Sequence, residues 1–175
     1  MTSIARSRRV VSLVAAGLVI AFGAAASRAG AQNMGIKVGT IAPSAAVVAM
    51  DGKAMDLADF YGDKPVVLEF WATWCPLCRK LEPAMQAARV KHAGRVTFVS
   101  VGVSSNQTPE RQLAHATKQK MSGAFVFDRD NMATKAFAVP HTSYVVVIDR
   151  NRRVVYTGVG ESQDIEAALR LAAIE

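Results

Sequence analysis

The sequence predicts an α/β domain whose mixed central sheet is covered by helices on both faces. Three observations carry this. Strand-like apolar runs alternate with helical periodicities from Val66 to Phe137, a hairpin and a last helix follow from Tyr144, and a separate Asp51-Gly52 hairpin signal precedes them all. Strands separated by helices imply parallel neighbours, whereas hairpins add antiparallel ones, so the sheet has to be mixed. The 175 residues, 51% of them hydrophobic, suffice for one core but not comfortably for two.

The N-terminal segment, 1–31, is expected to stand outside this domain. Arg6, Arg8 and Arg9 precede an apolar run, Val10 to Ala26, and Ala29-Gly30-Ala31 is a small-x-small site before Gln32. This is the layout of a cleaved export signal. An uncleaved membrane anchor is the alternative, because the run from Val10 to Ala26 lies at the lower edge of bilayer-spanning length. Ser7-Arg8-Arg9 partly matches a twin-arginine signal, which leaves both the Sec and the Tat route open. The expected organisation is therefore a signal peptide or anchor over 1–31 and one folded domain over 32–175. The domain would be periplasmic, or held at the outer face of the cytoplasmic membrane.

Within the domain, Gln32 to Ser44 reads as an extended lead-in. Val47 to Met50 and Lys53 to Met55 flank the Asp51-Gly52 turn. Asp56 is placed to cap a short helix, Leu57 to Tyr61, ended by Gly62. Val66 to Trp71 reads as a strand buried on both faces. Leu77, Leu81, Met85 and Ala88 recur at helical spacing from Pro76 to about His92, and Gly94 closes that segment. A strand is expected over 95–103. A helix capped by Thr108, with Pro109 at its first position, should run to about Met121. Ala124 to Phe127 reads as a strand and Asn131 to Phe137 as a short helix. Tyr144 to Asp149 and Arg153 to Gly158 form a hairpin, and Ser162 caps a final amphipathic helix to Ile174.

The formal charge of +7 raises the question of a nucleic-acid partner. Much of the excess belongs to Arg6, Arg8, Arg9 and Arg28, which precede Gln32 with no acid among them, so the bases that remain nearly balance the acids. These remaining charges are scattered, with no basic helix face, and nucleic acid is excluded as a partner.

Cys75 and Cys78 are the only cysteines. A bridge between them closes almost no loop and so adds little stability, which points to chemistry as the reason for the pair. Cys75 stands where a strand turns into a helix, so unsatisfied helix N–H groups favour its thiolate and make it the nucleophile. Pro76 suits the first helical position, and Arg79 and Lys80 add positive potential. Cys78, one turn on, is placed to attack a mixed disulfide formed by Cys75. A zinc half-site would need a second Cys or His pair at ligand spacing, which the sequence lacks. His92 and His115 read as solvated helix-surface residues.

The order Phe70-Trp71-Ala72-Thr73-Trp74-Cys75-Pro76-Leu77-Cys78, after Val66-Val67-Leu68 and before Arg79-Lys80, resembles the thioredoxin superfamily. Within it the match is to the TlpA/ResA-like exported thiol-disulfide oxidoreductases, from about Val38 to Gly160. The resemblance implies a thioredoxin-like fold with an N-terminal β-hairpin extension. It also implies a monomer that needs no cofactor and exchanges disulfides with client proteins bearing Cys pairs. Reduction during cytochrome c or copper-site maturation is the expected task, with a membrane thiol-electron transporter as reductant. Glu69, six residues before Cys75, matches the family's buried acid, which exchanges a proton with the second cysteine. Burial in a central strand would raise its pKa and suit that role, whereas an edge strand would let it reach water. The family's glutamate three residues after the second cysteine has no counterpart, because Leu81 stands there and Glu82 follows.

The family's cis-proline is the other departure. Counting back six residues from Asp149 gives Ser143, and the nearest proline, Pro140, lies three residues early. Either Pro140 returns to the site through a bulge or Thr142-Ser143 takes the position without proline, and the unbroken strand from Tyr144 favours Thr142-Ser143. Trp74, Pro76, His141, Thr142 and Ser143 are thus the candidate substrate-facing residues. Val139-Pro140-His141-Thr142 is also similar to a segment of Sco-type copper-assembly proteins. The alternative function is accordingly a copper metallochaperone with Cys75, Cys78 and His141 as ligands.

Overall fold

The computed structural model describes residues 34–173, so the export segment expected over 1–31 lies outside the described residues. The chain forms β1 (Ala46–Ala49), β2 (Ala54–Asp56), a 3-10 turn (Leu57–Phe60), β3 (Val66–Trp71) and α1 (Pro76–Lys91). It continues through β4 (Thr97–Val103), α2 (Pro109–Lys118), β5 (Ala124–Asp128) and α3 (Met132–Ala136), and ends with β6 (Tyr144–Ile148), β7 (Val154–Val159) and α4 (Ile165–Arg170). The seven strands make one sheet in the order β2-β1-β5-β4-β3-β6-β7. β3, β4 and β5 are parallel, whereas β6 joins β3 antiparallel and the β1–β2 hairpin joins β5 antiparallel. The expected mixed α/β sheet, with its N-terminal hairpin, is the observed one.

Each face has its own core. Val67, Val145 and Val147 point to one side, under Leu81, Met85 and Ala88 of α1 and Ile165, Ala168 and Leu169 of α4. Leu68, Phe70, Val99, Val101 and Val146 point to the other, against Leu57, Ala133 and Phe137. This alternation is the period-two geometry of a strand covered on both sides. It places β3 at the centre, with all six residues buried.

Most element ends fall within a few residues of expectation, and the exceptions have local causes. The last helix starts at Ile165, because Asp164 rather than Ser162 accepts from the first turn, at Ala167 N (2.8 Å). Residues before it are held to the sheet by Gln163, whose Nε2 donates to Gly160 O (2.7 Å) and Ser143 O (3.1 Å). Asp56 and Asp59 form a reciprocal capping box on the 3-10 turn, and Thr108 caps α2 as expected. Among the described residues no helix is long and apolar enough to cross a membrane.

Candidate active site

The cysteine pair sits at the β3–α1 junction. Cys75 is the N-cap of α1, with Pro76 at the first helical position, and its Sγ accepts from Cys78 N at 3.0 Å. The two sulfurs are bonded to each other, with Cα atoms 5.3 Å apart. Both cysteines are nearly sealed, at 2% and 4% exposure, whereas the neighbouring Trp74 and Leu77 stand out at 44% and 37%. An attacking thiolate at Cys75 would keep the same N–H donor and the positive end of α1.

The loop that presents Cys75 is fixed by a residue that no sequence signal singled out. Gln107, after β4, accepts from Thr73 N (2.9 Å) and donates to Val103 O (2.6 Å) and Trp71 O (3.3 Å). It thus ties the ends of two parallel strands to the turn before the cysteine. Trp74 is held from the same side, its Nε1 donating to Ser105 O (2.8 Å).

Glu69 is 1% exposed and lies on the central strand, not at an edge. Burial pushes its pKa up to about 7, against the opposing pull of Arg89 and with a further upward push from Glu82. Arg89 reaches back from α1 to place Nη2 3.2 Å from Glu69 Oε2 and Nη1 2.6 Å from Glu82 Oε1. Ser100, paired with Glu69 across β3 and β4, accepts from the same Nη2 at 3.3 Å. Burial also raises the pKa of Glu82, against the pull of Arg89. Cys78, Glu82, Met85 and Arg89 recur along the inner stripe of α1, which is how one helix delivers both the second cysteine and the cation.

Opposite α1, Ser143 is buried immediately before β6, with φ of 65°. Its N–H donates to Phe70 O (2.9 Å), its Oγ to Gly160 O (3.0 Å), and its carbonyl accepts from Gly160 N (3.0 Å). Ser143 therefore occupies the backbone position beside the end of β3. Thr142 and Pro140 are half-buried further along the loop, and His141 is exposed. No peptide bond among the described residues is cis.

Two expectations require correction. His92 is 7% exposed rather than solvated, with Nε2 3.1 and 3.2 Å from the Glu166 carboxylate oxygens. His115 packs against Trp71 with the rings tilted by 48° and their centres 5.7 Å apart; its pKa is lowered by burial first, then by Arg79 and Lys118. Lys80 lies on the surface and pairs with Glu161 at 2.8 Å. Among the described residues no group of three or more His, Cys, Asp or Glu side chains is assembled to hold a metal ion, and Cys75, Cys78 and His141 do not form such a set.

Known proteins resemble this chain in sequence and fold. The Redoxin family model matches residues 37–170. A thioredoxin-like protein YneN from Bacillus subtilis is 28% identical over 143 residues, covering 80% of this chain and 83% of its own. A thiol-disulfide oxidoreductase ResA from Geobacillus thermodenitrificans is 26% identical, covering 79% of each. A solved Chlorobium tepidum structure ascribed to the thiol:disulfide interchange protein DsbE superposes with a TM-score of 0.67 at 25% identity, over 79% of this chain and 96% of that one. With a bonded cysteine pair at the start of α1 and a buried carboxylate on the strand before it, the chain belongs to the Redoxin family, as a TlpA/ResA-like, thioredoxin-fold protein-disulfide oxidoreductase.

Proposed function

We propose that this oxidoreductase works as an exported, monomeric reductant of client proteins that carry Cys pairs, with Cys75 attacking, Cys78 resolving and Glu69 managing the proton. The observation that carries the reading is the Cys75 sulfur at the N-terminus of α1, held by one backbone N–H of Cys78. That placement favours the thiolate at Cys75 and so its role as the attacking sulfur.

In the forward cycle the Cys75 thiolate attacks one sulfur of the client disulfide, and the other client sulfur leaves as a thiolate. Cys78 then gives its proton to Glu69 and attacks Cys75 Sγ, the second client sulfur leaves, and two electrons have passed to the client. A membrane thiol-electron transporter outside the domain would re-reduce the pair. Cytochrome c or copper-site precursors are the clients that the family resemblance favours. Trp74 and the loop from His141 to Ser143 would form the docking face, with Pro76 fixing the entry to α1.

A cysteine-trapping experiment tests the assignment of roles. The Cys78→Ser protein should accumulate a mixed disulfide with a model client, and the Cys75→Ser protein should not. The reverse pattern would exchange the roles, and no adduct with either would remove the proposed cycle.

A further inference from the structure

Three ionisable side chains meet where α1 packs on β3, and the proton step above uses only Glu69. Arg89 is shared: Nη1 donates to Glu82 Oε1 at 2.6 Å and Nη2 to Glu69 Oε2 at 3.2 Å. The side chains of Arg89 and Glu69 are 3% and 2% exposed, and that of Glu82 is 20% exposed. A guanidinium keeps its proton at any pH at which the fold operates. With both carboxylates ionised, the unit therefore holds one uncompensated negative charge away from water. A single proton on either carboxylate removes that charge and leaves the guanidinium to serve the other.

Among the described residues Arg89 is the cation that acts on both carboxylates. Beside Glu69 in the sheet stand Ser100 on β4 and Val145 on β6. On the same face α4 contributes Ile165, Ala168 and Leu169. The inner stripe of α1 supplies Cys78, Leu81, Glu82, Met85, Ala88 and Arg89, and His92 beyond its end is bonded to Glu166.

We infer that Glu82, Arg89 and Glu69 form a single proton-holding unit, in which Glu82 competes for the Arg89 guanidinium and thereby keeps Glu69 able to accept a proton from Cys78. The inference rests on the reading of Glu69 as that acceptor. Arg89 and Glu82 are positioning residues that act through Glu69. When the Cys78 S–H bond breaks, its proton goes to the Glu69 carboxylate. The Cys78 sulfur bonds to Cys75, and the client sulfur departs with the electron pair of the mixed disulfide. As Glu69 becomes neutral, the charge of Arg89 is taken up by Glu82, the member of the three most open to water.

The test is the pH profile of client-disulfide reduction under single turnover, in the full chain. The unaltered protein should show a rate rising through about pH 7, where Glu69 ionises. Glu82→Gln gives Arg89 to Glu69 alone and should move that rise down by about one pH unit, the scale of a nearby-charge effect. Glu82→Asp, which keeps the charge, should restore the original profile. Arg89→Lys loses the two-pronged contact and should move the rise upward. If Glu69→Gln abolishes the rise while Glu82→Gln and Arg89→Lys both leave it in place, the unit is merely structural and the inference is overturned. If Glu69→Gln itself leaves the rise unchanged, the proton role of Glu69 fails and the inference with it.

Discussion

Cys75 is almost inaccessible in the bonded state, so a donor dithiol must approach along the face where Trp74 and Leu77 project. Two exposed apolar side chains beside a reactive sulfur favour extended segments that bury them. His141 lies in the exposed part of the neighbouring loop. His141→Ala is expected to retain most disulfide-exchange activity, measured by reduction of an insulin-like client. Loss of more than tenfold would make the histidine part of the chemistry, and a parallel loss of copper affinity would favour the metallochaperone alternative. Gln107 behaves differently, because its side chain alone bonds Thr73, Trp71 and Val103. Gln107→Ala leaves buried backbone groups unpaired and should lower stability by about 1–3 kcal/mol in chemical denaturation. At this scale the redox pair and Glu69 were legible, because the Trp-Cys-x-x-Cys run and the six-residue interval lie within one short stretch. Arg89, Glu82 and Gln107 were not. Arg89 meets Glu69 and Ser100, and Gln107 meets Thr73 and Trp71, only once the chain is folded, and a cation near a helix end ordinarily reads as solvated.

Elements were readable where turn and cap chemistry is local. Asp51-Gly52, Asp56, Thr108-Pro109 and the Cys75-Pro76 junction each set a boundary close to the one observed. The start of α4 was misplaced because Ser162 and Asp164 both suit a cap, and the bonds of Gln163 to the β6 and β7 ends decide between them. Asp164→Ala should therefore cost about 1 kcal/mol, whereas Ser162→Ala should change stability by only a few tenths. Equal effects in urea denaturation would contradict this assignment. Packing of α2 onto the sheet depends on Gly102, where any Cβ would run into the fully buried Gln112 side chain. Gly102→Ala is expected to destabilise by about 1–3 kcal/mol through overpacking, again read from the denaturation midpoint.

For the molecule as a whole, the sheet order puts the reactive junction at the end of a central parallel strand, flanked by β4 and β6. Rigidity there comes from two cores that grip β3 from opposite faces. The edges are short or partly covered: β2 has three residues, and Ile41 bridges to Arg153 beside β7. A short or covered edge offers little unpaired backbone for another strand to join. Alternating strands and helices revealed this architecture in the sequence. The six-residue count back from Asp149 and the unbroken strand from Tyr144 pointed to Ser143 rather than Pro140 beside Phe70, as observed, whereas the bonds that hold Ser143 to Gly160 depend on how the loop closes and were not legible.

The most direct test of the reductant reading is the reduction potential of the Cys75–Cys78 pair, titrated in thiol–disulfide buffers and followed by Trp71 and Trp74 fluorescence. A reductant fed by a membrane thiol donor is expected at about −250 mV or lower, and a value near about −120 mV would make the protein a donor of disulfides and contradict the proposed direction of electron flow.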